Sequence, residues 1–311
     1  MAKILKKALV LPSVIVFVFI LSMMPLVIFT PREFEVDPLM GERTAAQLDR
    51  IDFMWSNGFQ AIRDYINGVK GGESFRFYSG MNEYSFWQEI GGYLKMSMFY
   101  VSFGTIVGLT AGIMFGIGFA LFRNEWVKRT MEMIGVFPDF MLIILLQFVI
   151  VQIAKETGFV LFKVANVYGS QPAAIALPIV SMIVIPGLYI ARNVAVHMRF
   201  TLAEDYISAA KSRGLGKLYI TFFHALPNVL PFIKADLHKF MGILMGNLFI
   251  VEYLYNIKGI TKLLFKDAMI SIAGYQFALV VNGMICLLLI YGVLYFLLRM
   301  YLFGWEKVFA R

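Results

Sequence analysis

Few side chains in this chain of 311 residues have the type and spacing needed to catalyse a reaction or ligate a metal. The three histidines, His197, His224 and His238, stand 27 and 14 residues apart, so no two share a helix face at ligand spacing. The single cysteine, Cys286, lies in an apolar run, which excludes an intrachain disulfide and a cysteine-based metal site. The stretch GFQAIRDYINGVKGGESF contains glycines, but no strand precedes them and no Lys-Ser/Thr completes a phosphate loop. These residues predict no catalytic centre, no metal site and no cofactor on this chain. Energy for any uphill work would come from another chain.

The residues around these sparse polar groups are membrane-like. The chain is 59% hydrophobic and 15% charged, with a mean hydropathy of +0.73, whereas soluble domains lie nearer about 25% charged. Its apolar runs reach the roughly 20 residues of a spanning helix and lack the strict alternation of barrel strands. The formal charge of +8 is explained by cations at the cytoplasmic ends of spans, not by nucleic-acid binding.

Six transmembrane helices are predicted at 8–29, 96–122, 131–154, 173–194, 241–255 and 277–303, in an all-α integral membrane protein. Lys3, Lys6 and Lys7 precede the first run, which is longer than a signal peptide's apolar region and has no small-residue cleavage site after it. It reads as an uncleaved span with a cytoplasmic N-terminus. The proposed cytoplasmic pieces 1–7, 123–130, 192–239 and 299–311 hold 16 Lys/Arg, and the outside loops 155–172 and 256–275 hold 5. This asymmetry places both termini in the cytoplasm. The organisation is then 1–29 as an N-terminal span, 30–95 as an extracytoplasmic segment, and 96–311 as a five-helix core with a cytoplasmic region at 195–239. Phe53, Trp55, Phe59, Phe75, Phe77, Tyr78 and Trp87 predict packed structure in 30–95, as a cap or as a spacer between two spans.

Within the second span, Gly104, Gly108, Gly112 and Gly116 recur every fourth residue. Such a stripe lets another backbone approach closely, in the same chain or in a second subunit; glycine is also simply frequent in membrane helices. Glu132, Asp139 and Glu252 are ionisable residues near span ends, read as interfacial or capping groups and not as a proton relay.

The most informative polar stretch is YISAAKSRGLGKLYITFFHALPNVLP, at 206–231. Thr201 and Glu204 fit a capping box, predicting a helix over 201–213 with Leu202, Tyr206, Ala209 and Ala210 on one stripe. Gly214 suits the left-handed stop, and Lys211 and Arg213 complement the negative helix end. A second helix restarts near Lys217, and Pro227 and Pro231 each predict a break. On the residues alone, this is either a membrane-surface amphipathic helix or a docking element.

The stretch resembles the EAA motif of binding-protein-dependent ABC importer permeases, whose pattern is Glu-Ala-Ala, three residues, Gly, nine residues, Ile-x-Leu-Pro. Here Ser208-Ala209-Ala210, Gly214 and His224-Ala225-Leu226-Pro227 keep that spacing, with Ser208 replacing the Glu and His224 the Ile. The wording looks most like the oligopeptide/dipeptide/nickel branch. The stretch VEYLYNIKGITKLL, 251–264, partly resembles that branch's Val-Glu-x-x-Phe-x-x-Pro-Gly-Leu-Gly signature; Tyr255, Lys258, Ile260 and Thr261 depart from it.

The resemblance implies the ABC importer permease fold in a multi-pass bacterial or archaeal cell membrane. It also implies a second permease subunit in a heterodimer, two cytoplasmic ATPase subunits and an extracytoplasmic substrate-binding protein, with oligopeptide or dipeptide as substrate. The 201–227 segment would dock on one ATPase through Tyr206, Ala209, Ala210, Lys211, Gly214 and Leu215, with His224, Leu226 and Pro227 completing the motif. Because Ser208 stands where the motif has Glu, no role rests on charge there. Two other classes compete. A self-sufficient secondary transporter or channel predicts internal repeats and buried coupling charges, and a membrane enzyme needs a catalytic cluster.

Overall fold

A computed structural model describes residues 2–28, 54–122, 133, 138–160, 162–165, 174–269 and 274–309. Phe53, Glu132, the basic stretch 123–130 and the side chain of Asp139 lie outside the described residues. Among the described residues, the regular structure is helical apart from one small hairpin. In order it forms α1 (Ala2–Ile28), α2 (Trp55–Gly71), β1 (Arg76–Ser79), β2 (Asn82–Ser85), α3 (Phe86–Leu121), α4 (Asp139–Thr157), α5 (Ala176–Leu202), α6 (Asp205–Ser212), α7 (Lys217–Leu254), α8 (Ile260–Leu263) and α9 (Phe277–Phe309).

Five of these, α3, α4, α5, α7 and α9, are long and apolar enough to cross a membrane; the apolar part described in α1, Pro12–Ile28, is shorter. Four of them, α3, α5, α7 and α9, are longer than their apolar cores suggested. α3 starts ten residues before 96, because Phe86 and Ile90 are buried and extend its packed face. α7 starts far upstream of 241, for a reason given with the site below.

Packing divides the chain into two compact units: Met1–Gly91 with Leu263–Leu287, and Gly92–Lys262 with Leu288–Arg311. In the first unit, Met23 and Val27 of α1 form a core with Phe277 and Val281 of α9, flanked by Phe19, Ile62 and Tyr65. Tyr65 donates its hydroxyl to Asn282 Oδ1 at 2.8 Å, and Asn282 Nδ2 donates to the Ser74 carbonyl at 2.8 Å. β1 and β2 pair antiparallel from Arg76↔Ser85 to Ser79↔Asn82. Their two-residue turn begins with Gly80 at φ +65°, which the right-handed strand twist favours. On β1's other edge, the Gln276 amide pairs with both the N–H and the C=O of Tyr78, as a backbone rung would.

In the second unit α5 packs along α7. The buried stripe Met182, Ile190, Val194 and Met198 belongs to α5, and Leu237, Met241, Leu244 and Leu248 belong to α7. Pro186 lies inside α5, so the Met182 carbonyl has no amide donor at position 186. One residue earlier, the Ser181 carbonyl receives Asn247 Nδ2 of α7 at 3.0 Å. Asn193 of α5 donates to Asp236 Oδ2 of α7 at 2.9 Å. Polar bonds of this kind fix the register between two otherwise greasy surfaces.

Candidate functional site

The short helix α6 sits between two long helices, and its limits differ from the capping-box expectation. α5 continues through Leu202, which places Thr201 in its last turn, buried. The N-cap of α6 is Glu204, in extended conformation and without a side-chain cap bond. Its carbonyl accepts the first intrahelical bonds, from the Ile207 and Ser208 amides. The residues of the apparent capping box are thus divided between two helices, because membrane packing carries α5 past the point where local signals would start a new helix.

The helix end follows local chemistry. Gly214 has φ +79°, its amide donates to the Lys211 carbonyl at 2.9 Å, and the Leu215 amide donates to the Ala210 carbonyl at 3.4 Å. This 6→1 and 5→2 pair of bonds is the Schellman motif. The Ala210 and Lys211 carbonyls at the end of α6 are thereby satisfied, and the chain turns sharply into α7.

α6 has a clear inside and outside. Ile207 and Ala210, three residues apart, point inward and are buried. Tyr206, Ser208, Ala209, Lys211, Gly214 and Leu215 are exposed. The single stripe of Leu202, Tyr206, Ala209 and Ala210 is therefore corrected. With the helix starting at Asp205, Ala210 joins the inner face and Tyr206 and Ala209 form an outer one.

The second half of the motif anchors this face. Leu226 is fully buried and His224 half-buried, its ring edge-on to Tyr219 at 5.5 Å. Neither Pro227 nor Pro231 ends the helix; α7 runs unbroken over both. For Pro227 the reason is a π-helical stretch, Ile220–Ala225, directly before Leu226. Its i→i−5 bonding widens the turn, so the Leu226 amide reaches the Thr221 carbonyl and the proline ring is accommodated. Asn228 Nδ2 then donates to the His224 carbonyl at 3.0 Å and to the Tyr206 hydroxyl at 2.8 Å. That second bond ties α6 to the start of α7. Sequence reasoning passed over Asn228; an asparagine one residue after a helix-interior proline, where carbonyls lose donors, was the available signal.

A cleft of about 640 Å3 lies beside α6, lined by the apolar Leu121, Leu215 and Ile220 and by Arg199, Lys211 and Lys217. Arg199 also donates to the Phe119 carbonyl in the last turn of α3 at 3.1 Å.

Two further clusters make the frame rigid. The four-residue glycine stripe of α3 faces α5 of the same chain. A Cβ at Gly104 would lie 2.9 Å from the Met182 carbonyl oxygen, one at Gly112 2.8 Å from that of Gly187, and one at Gly116 2.6 Å from Val194 Cβ. Gly108 meets Ile183 and Gly187. Glu252, at the other end of α7, is completely buried. Its carboxylate accepts Ser97 Oγ at 2.6 Å, Thr261 Oγ1 at 2.6 Å, and the backbone amides of Thr261 at 2.9 Å and Lys262 at 3.3 Å. Ser97 Oγ in turn accepts the Ile260 amide at 2.9 Å. Together Ser97 and Glu252 supply the start of α8 with the acceptors its first amides lack, in place of a local cap. The capping role expected of Glu252 is therefore met at the start of a different helix. Among the described residues, no group of His, Cys, Asp or Glu could hold a metal ion.

Long apolar helices, clamped by small residues and by buried polar caps, and carrying one short exposed helix on a rigid turn, define a multi-pass helical membrane protein. A family model described as the binding-protein-dependent transport system inner membrane component matches residues 108–305, more than half the chain. The chain belongs to that family of transport permease components. It is similar to the dipeptide transport system permease protein DppB of Bacillus subtilis (strain 168), 29% identical over 161 residues, 50% of each chain. It is also similar to the glutathione transport system permease protein GsiC of Escherichia coli (strain K12), 27% identical over 171 residues, 51% of this chain and 50% of that one. The chain spans about half the length of the curated relatives it matches.

Proposed function

We propose that this chain is a permease subunit of an ATP-driven ABC importer that moves oligopeptides or dipeptides into the cell. The observation that carries the reading is α6: a short helix whose outer face is exposed, closed by the Gly214 turn and braced by Ile207, Ala210 and the Asn228–Tyr206 bond. A stiff, outward-facing element between two membrane helices suits transmission of motion, since a loose loop would absorb it. In this reading the 195–239 region is cytoplasmic. Tyr206, Ala209, Lys211, Gly214 and Leu215 contact an ATPase subunit, while Ala210, His224, Leu226 and Pro227 hold that face in place.

The partners are a second permease subunit in a heterodimer, two ATPase subunits and an extracytoplasmic substrate-binding protein. The chain itself hydrolyses nothing and needs no cofactor. The peptide-transport names of the similar permeases and the family match support this assignment.

The test is reconstitution of the chain with its co-purifying subunits in proteoliposomes. Peptide uptake that requires ATP, ATPase chains and binding protein is the expected result. Uptake by the purified chain alone would overturn the reading.

A further inference from the structure

The amphipathic helix α2 has one face that no described part of its unit covers. Its inner side is well packed: Gly58 lies against Met23 and Val27 of α1, and Gly68 against Ser74. Ala61, Ile62 and Tyr65 pack on the core of Met23, Val27, Phe277 and Val281. Beside this face runs a second apolar stripe at helical spacing, Trp55, Phe59, Ile66 and Val69, exposed by 47%, 62%, 57% and 41%. On a helical wheel Arg63 and Lys70 border the stripe, and Gln60, Asp64 and Asn67 lie beyond them.

The position of α2 relative to its supporting helices says what meets this stripe. The Met54 amide, at its start, donates to the Val27 carbonyl in the last turn of α1 at 3.1 Å. Tyr65, in its middle, reaches Asn282, in the second turn of α9. α9 has 33 residues, or about 50 Å at 1.5 Å per residue, against a hydrocarbon layer of about 30 Å. Its charged residues, Arg299, Glu306 and Lys307, lie in its last third, so the first turns form the opposite end of the apolar span, where the hydrocarbon meets the headgroups, and α2 packs on those turns.

We propose that α2 is an interfacial helix, lying in the plane of the bilayer with Trp55, Phe59, Ile66 and Val69 in the acyl–headgroup boundary and Arg63 and Lys70 reaching lipid phosphates. Both the residue types and their arrangement fit this occupant. Aromatic and aliphatic residues meet the acyl boundary, long cations snorkel beside them, and the neutral and acidic residues face water. The helix anchors the segment between α1 and α3 to the membrane surface.

The test uses the full chain with its co-purifying subunits in vesicles of phosphatidylethanolamine and phosphatidylglycerol, in a Cys286→Ser background. Phe59→Cys and Ile66→Cys on one face, and Gln60→Cys and Asn67→Cys on the other, each carry a small fluorophore; all four positions are exposed, so the labels do not disturb packing. Lipids with brominated acyl chains should quench the labels at 59 and 66 severalfold more than those at 60 and 67. Aqueous iodide should show the reverse order. Equal quenching of both faces by either agent would overturn the proposal. So would shielding of 59 and 66 from both quenchers, the result that a covering protein surface would give.

Discussion

Gly259 is bare because Glu252 occupies the space a side chain would take: a Cβ built at Gly259 overlaps the Glu252 carboxylate. The buried acid lies over the start of α8 only because the backbone at Gly259 comes this close. The pair Val-Glu and Gly, seven residues apart in the partly matched signature at 251–264, is thus one structural device.

Gly259→Ala must push the carboxylate away from the Thr261 and Lys262 amides. The cost expected is about 1–3 kcal/mol, the range for overpacking a filled interior. Glu252→Ala leaves those buried amides and the Ser97 hydroxyl unsatisfied, at about 1–3 kcal/mol for each orphaned group. Thermal unfolding in mild detergent should show both variants melting below wild type, with Glu252→Ala the lower. A wild-type melting curve for either variant would remove the role assigned to this cap.

The glycine stripe makes a position-specific prediction. Gly112→Leu and Gly116→Leu drive a side chain into the α5 backbone and Val194, so both should fail to give a monodisperse protein. Gly118→Leu is the control, since nothing lies within 4 Å of a Cβ there. Size-exclusion profiles after extraction separate the cases; equal profiles at 112 and 118 would mean that the α3–α5 contact does not hold the fold.

At Gly214 the turn needs φ +79° and an amide proton. An alanine there costs about 1–2 kcal/mol of left-handed strain, and a proline loses the bond to Lys211 as well. Gly214→Ala should retain partial coupled uptake. Gly214→Pro should abolish uptake while ATPase activity persists and membrane insertion is normal, as measured on proteoliposomes. Wild-type uptake by Gly214→Pro would sink the assignment of α6 as the docking element.

Asn228 offers a gentler test of the same element. Asn228→Ala removes the tie to the Tyr206 hydroxyl, an exposed bond worth about 0.5–1.5 kcal/mol at most. Thermal stability should hardly move, yet peptide transported per ATP hydrolysed should fall. Tyr206→Phe should reproduce the effect, because it deletes the acceptor alone. A normal ratio in both variants would show that the brace does not matter for coupling.

The elements differ in how far they could be read in advance. The five long apolar helices and the Gly214 turn are local properties, carried by hydropathy runs and by the only residue without a Cβ, and they were legible. The capping box at Thr201 was a misleading local signal, because α5 has enough buried contacts to continue through it. The prolines at 227 and 231 misled in the other direction. A π-helical turn absorbed the first, and its formation depends on where Ile220, Thr221, Ala225 and Leu226 are buried.

By itself the sequence determined a greasy, helical, membrane-spanning chain, the four-residue glycine repeat, and a polar helix stopped by a glycine. These follow from side-chain hydropathy and backbone freedom, which act over one or two turns. Only the tertiary structure decided that the glycine repeat meets α5 of the same chain, that Ala210 points in while Tyr206 and Ala209 point out, and that Glu252 caps α8 with Ser97. Ser97 and Glu252 are 155 residues apart. A bond between such distant residues is set by how the helices pack, because nothing in the local spacing of either residue encodes the other.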